Sequence, residues 1–167
     1  VLDLLKSSKA LNFNLFAGST VGWANQDPVW SWSPVTAPPT FMCPTMSAAK
    51  TDASCTSVGL FMGTPEVDRQ ATEAAFRAAA AKFSIPVTGV VFVEPFAPVT
   101  PDVFEPFVGN APDCMVSDVY TVSLAIRDYE SKVGAKPRKY VLTELNPGLP
   151  FFASEAAVED VTDLNGG

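Results

Sequence analysis

One arrangement occurs twice along this chain and limits the folds open to it: a helix pattern, a proline-marked turn, then a run of β-branched residues. In the first instance the run PEVDRQATEAAFRAAAAKF is dense in good helix formers. Thr64 is placed to cap it, Pro65 suits the first helical position, and Glu66 and Asp68 sit where the helix dipole favours negative charge. Val67, Ala71, Ala74 and Ala78 form one stripe and Phe76, Ala80 and Phe83 another, with the alanines allowing a neighbour to approach closely. After Pro86 comes VTGVVFVEP, a buried-strand pattern.

The second instance is SDVYTVSLAIRDYESKVG followed by KYVLTEL. Val119, Val122, Ile126, Tyr129 and Val133 make one apolar seam at helical spacing. Ser117 and Asp118 suit the helix start, Gly134 suits its end with Pro137 beyond, and Asp128 and Lys132 stand four apart as an ion pair. The two units, roughly 65–93 and 117–145, read as a degenerate repeat. Each follows a cysteine, and each strand ends in a glutamate, Glu94 or Glu144. Val58–Met62 reads as a further short strand. Between the units, prolines mark an ordered loop with Val103, Phe104 and Phe107 pinned to the core.

The flanks differ in kind. Residues 1–16 read as a short helix with polar interruptions. Residues 17–57 hold Trp23, Trp30 and Trp32 and a high density of proline, which predicts an extended, irregular arm. Such an arm either anchors in a partner's pockets through its tryptophans or folds back over its own core. Ser154 suits the cap of a last helix, EAAVEDVTDL. The expected fold is thus α/β or α+β: a small single domain of two helix–strand units with terminal helices and a long Trp/Pro-rich arm. Its division would be 1–57 for the N-terminal helix and arm and 58–167 for the compact body.

Composition removes several functions. Net charge is −7, so a nucleic-acid surface is not expected, the only basic cluster being Lys136, Arg138 and Lys139. No apolar window is long enough to span a membrane. Charged residues make up 17% of the chain against 47% apolar. That fits either a well-buried domain or one whose surface is covered by other subunits. The chain opens on Val1 rather than Met, as a processed or truncated polypeptide would.

There is no histidine, which excludes Ser-His-Asp and Cys-His catalysis within the chain, and with them histidine-bearing zinc sites. No phosphate loop or dinucleotide fingerprint is present. Glu94 and Glu144 would make a carboxylate pair only if their strands were neighbours. The cysteines, Cys43, Cys55 and Cys114, are too few for a disulfide framework. They leave open one bridge, a redox thiol, inert thiols or covalent attachment of a prosthetic group. Cys114, expected within a turn of the second helix's start, is the candidate for a lowered thiol pKa.

The segment carrying Glu73, Ala74, Phe76, Arg77, Ala78, Ala79 and Phe83 resembles the first core helix of phycobilisome linker domains. The resemblance implies a photosynthetic antenna linker of the phycoerythrin gamma type, inside a ring of other protein subunits on the stromal face of the thylakoid in a chloroplast. It also implies bilin carried on cysteine, with Cys43, Cys55 and Cys114 as candidates by residue type and Trp23, Trp30 and Trp32 as partner anchors. The expected function is therefore a non-catalytic structural or linker subunit. The alternative is a small enzyme or redox protein working through a cysteine thiol.

Overall fold

The computed structural model describes residues 12–13, 31–32, 38–95 and 97–143. Short strands β1 (Asn12–Phe13) and β2 (Ser31–Trp32) pair in parallel. Helix α1 (Pro38–Thr51) follows, then β3 (Val58–Gly63), α2 (Glu66–Lys82) and β4 (Val87–Val93). A 3-10 helix (Pro101–Phe107) leads to β5 (Cys114–Ser117), α3 (Val119–Val133) and β6 (Lys139–Leu142). The four strands β3 to β6 form one parallel sheet in the order β4-β3-β5-β6. The α/β class is the one the repeated helix–strand units predict, because parallel neighbours need a crossover that returns the chain to the same end. Each unit proves to be a β-α-β crossover.

Both faces of the sheet are covered. On one side Val58, Leu60 and Met62 of β3 and Cys114 and Val116 of β5 pack with Met42, Met46 and Ala49 of α1 and Phe76, Ala79 and Ala80 of α2. On the other, Phe61 and Met115 pack with Phe104 and Phe107 of the 3-10 helix and Ala125 and Tyr129 of α3. Here rings meet edge to face, Phe61 with Phe104 at 4.8 Å and Phe104 with Tyr129 at 5.3 Å between centroids. Burial among them, with Glu130 adjacent, pushes the Tyr129 hydroxyl up to about 12.

Phe107 is buried because two glycines make room for it. Gly59 of β3 and Gly89 of β4 are register partners. A Cβ on either would stand 2.7 Å from Phe107 Cε1. The glycine pair thus forms a slot in which the connection from β4 to β5 is pinned. Phe104 and Phe107 are anchored as predicted, and Val103 is half-buried beside them.

Several expectations are corrected. The arm does not stay extended to residue 57, since 38–51 is helical. Pro38 and Pro39 fall in its first turn, where missing N–H groups cost nothing, and Met42, Met46 and Ala49 face the core. The buried face of α2 is Asp68, Thr72, Phe76, Ala79 and Ala80, while Val67, Ala71, Ala74 and Ala78 face solvent. The 3.6-residue period was right and its phase was not. The four-residue strand β5 was missed. Lys132 reaches Asp102 and Glu105 of the 3-10 helix. Of the helix expected over 1–16, only Asn12 and Phe13 are described, and they lie in β1. The helix expected after Ser154 lies outside the described residues.

Replacing Gly89 with alanine is expected to destabilise the chain by about 1–3 kcal/mol, as overpacking of a filled slot does. Urea denaturation measures this, with exposed Ala74→Ser as a control expected to change little.

Candidate functional site

In an open parallel sheet the strand ends part where adjacent connections leave on opposite faces, and a crevice opens outside their carboxyl ends. Here α2, following β3, packs on one face, and α3, following β5, packs on the other. β3 and β5 are neighbours, so the crevice lies beyond Gly63 and Ser117.

At this end of the sheet stands Asp118, the N-cap of α3. The carboxylate accepts from Thr121 N–H at 2.7 Å through Oδ1 and from Gly63 N–H at 2.9 Å through Oδ2. It therefore ties the start of α3 to the end of β3. A Cβ at Gly63 would stand 2.7 Å from Thr121 Oγ1, so glycine permits this close approach. Thr64 N–H donates to the Val93 carbonyl and Thr143 N–H to the Ser117 carbonyl, continuing the sheet by one bond on each side. Arg69 Nε donates to the Thr64 carbonyl at 3.0 Å, and its guanidinium pairs with Glu94. The hydroxyls of Thr64 and Thr143 are buried without a hydrogen-bond partner. Thr64 does not cap α2, whose N-cap is Pro65. Asp118 was legible as a helix start. Gly63, Thr121 and Thr143 were not, because only the strand order brings them together.

The strands that precede Glu94 and Glu144 are not neighbours among the described residues. Their strands, β4 and β6, are the two edges of the sheet, three strand spacings or about 14 Å apart. Glu94 is exposed at its ion pair with Arg69, and Glu144 lies outside the described residues.

The cysteines lie elsewhere. Cys55 and Cys114 are joined in a disulfide at the opposite, amino end of the sheet, where Val58 pairs with Cys114. Cys114 begins β5 rather than α3, is fully buried and has no thiol to ionise, so the helix-dipole argument does not reach it. Cys43 is free and exposed on α1, with Lys82 Nζ 3.6 Å from its sulfur. Trp32 lies in β2; Trp23 and Trp30 lie outside the described residues.

Around the disulfide, polar groups are closely paired. Arg138 binds both carboxylate oxygens of Asp113 at 2.9 Å and donates to the carbonyls of Ala53 and Ser54. Thr56 adds its N–H and hydroxyl to Asp113. Hydrogen bonds from Arg138 hold the Asp113 carboxyl below its ordinary range, against the upward push of burial and with help from Thr56.

No family model matches the sequence, and no curated protein matches it. Solved structures do share its fold. A solute-binding protein of an ABC transporter from R. palustris, in complex with 4-hydroxybenzoate, superposes with a TM-score of 0.66 at 14% identity, covering 93% of this chain and 43% of that one. A second R. palustris solute-binding protein, in complex with benzoate, gives 0.64 at 10% identity over 90% of this chain and 42% of the other. A putative branched-chain amino acid ABC transporter protein from Rhodospirillum rubrum gives 0.52 at 16% identity over 91% and 51%. The chain shares the α/β fold of these proteins. The chain spans less than half the length of the first of these proteins.

That likeness overturns the phycobilisome-linker resemblance, and with it the expected photosynthetic, bilin-bearing and chloroplast setting. The segment from Glu73 to Phe83 that carried the resemblance belongs to the crossover helix α2 and the turn after it. Alanine-rich helices with an arginine and a phenylalanine serve a crossover as well as a linker bundle. The structural-linker reading and the thiol-enzyme alternative both fall to the same finding.

Two measurements check the amino end. Without reductant, the denatured chain is expected to give one reactive thiol and, after reduction, three. Cys55→Ser with Cys114→Ser is expected to cost about 4 kcal/mol in urea denaturation, given a sequence separation of 59 residues. Because the native Asp113 pKa is lowered, its contribution is present above about pH 4 and is lost as pH falls through the native value. The stability gap between wild type and Arg138→Met is therefore expected to be widest at neutral pH and to shrink in acid.

Proposed function

We propose that the chain is the ligand-binding portion of a solute-binding protein serving an ABC-type transporter, and that it binds a small solute without transforming it. The observation that carries this reading is the switch point between β3 and β5, where two crossovers diverge and buried threonine hydroxyls lie without partners. The fold likeness supports it, since the solved proteins named above are described as solute-binding or transporter proteins. The protein partners on this reading are the transporter's membrane components. Among the described residues no helix is long and apolar enough to cross a membrane, which suits a subunit that delivers solute to such components. A disulfide within the body supports an oxidising, extracytoplasmic setting.

Thermal shift against a panel of small aromatic and aliphatic solutes tests the proposal. At a hundredfold excess over Kd a true ligand stabilises by about 2.7 kcal/mol. Thr64→Val keeps the side-chain shape and removes a hydroxyl without a partner, so folding is expected to be undisturbed. Ligand affinity is expected to fall by about 2–10-fold, the worth of one hydrogen bond. A panel with no stabilising solute, or affinity indifferent to Thr64→Val, refutes the reading.

A further inference from the structure

Resting on that reading, we infer that the crevice between β3 and β5 selects a cationic head group, an amine or guanidinium, and rejects a free carboxylate. The specificity-determining residue is Asp118. An anion at such a switch point is ordinarily met by backbone N–H groups at a helix start. Here two such donors are already taken. Thr121 N–H at the start of α3 and Gly63 N–H at the end of β3 both point to the Asp118 carboxylate, at 2.7 and 2.9 Å. The chain supplies its own anion where an anionic ligand would bind.

Asp118 also remains able to accept. An ionised carboxylate offers about four acceptor positions. The two backbone bonds use one on each oxygen, fixing the group in place and leaving acceptor capacity on both. Asp118 is half-buried, so a ligand ammonium placed against it would lose part of its water and gain a charge-assisted bond.

The surroundings have the same sign. Glu66 in the first turn of α2 and Glu94 after β4 are exposed at this end of the sheet. The described cation among them, Arg69, is engaged by Glu94 and the Thr64 carbonyl. A second feature lies at the same end of the sheet: the Thr64 hydroxyl, buried just after β3, has no hydrogen-bond partner and is a neutral donor and acceptor. The solved relatives in complex with 4-hydroxybenzoate and benzoate hold acids; this chain is built for the opposite charge.

Isothermal titration of the full chain with benzylamine and with benzoate, one ring carrying opposite charges, tests the inference. Wild type is expected to bind benzylamine at least tenfold more tightly than benzoate. Asp118→Asn keeps an oxygen to accept from Thr121 N–H, gives up the acceptor for Gly63 N–H and removes the charge, and it is expected to reduce that preference to threefold or less. Circular dichroism should show both proteins equally folded. Benzoate binding wild type as tightly as benzylamine, or a preference unchanged in Asp118→Asn, overturns the inference and leaves the solute-binding reading standing. Failure of both probes on both proteins overturns the inference together with a solute site at this crevice.

Discussion

Val58, Leu60 and Met62 of β3 point into one apolar layer and Phe61 points into the other, and both layers exclude water. A strand buried on both faces is covered most fully inside a sheet, with a neighbour on each side and a helical layer above and below, and β3 takes that place. The chain supplies β4 on one side through α2, then brings β5 to the other. Every later placement depends on that second step. Had the third strand of the sheet been added beyond β4, β3 would have remained an edge, and α2 and α3 would have no reason to part across a β3–β5 boundary.

The step back across β3 is made without an α-helix. The connection runs through a short 3-10 helix whose Phe104 and Phe107 press onto the sheet, Phe107 entering the slot left by Gly59 and Gly89. Two rings and two missing side chains do what a longer crossover helix does elsewhere. The same contacts leave Phe61 and Tyr129 in one ring cluster with them, so α3 docks on the face opposite α2. The crevice is thus a consequence of core packing on the far side of the sheet.

Much of this was legible in the residues. β3, α2, β4, α3 and β6 follow from period, caps and prolines, and Gly134 closes α3 in the left-handed conformation that its position implied. What stayed hidden has physical causes. β5 is four residues long, and its residues run directly into the Asp118 cap, so a helix pattern absorbed it. α1 begins on two prolines that read as extended chain until their place in a first turn is known. The phase of α2 was misjudged because alanine packs and exposes with nearly equal ease, while Asp68 and Thr72, which polarity would place outside, are buried. The site was half visible: Asp118 was legible as favouring the helix start, but the cap was read at Ser117, and the bond from Gly63 to Asp118 spans 55 residues and depends wholly on strand order.

The two ends of the sheet differ in how completely their polar groups are paired. At the amino end a disulfide, a two-pronged Arg138–Asp113 pair, a bond from Thr56 to Asp113 and bonds from Arg138 to the carbonyls of Ala53 and Ser54 knit three segments together. Such an end resists change, since any group removed strands a partner. At the carboxyl end the hydroxyls of Thr64 and Thr143 lack partners, and the carboxylate of Asp118 is fixed by two bonds with capacity to accept more. A chain selected for stability alone gains nothing from a buried hydroxyl without a partner. Part of that cost falls where the topology parts the two crossovers. A second molecule that completes those bonds accounts for both the cost and its location.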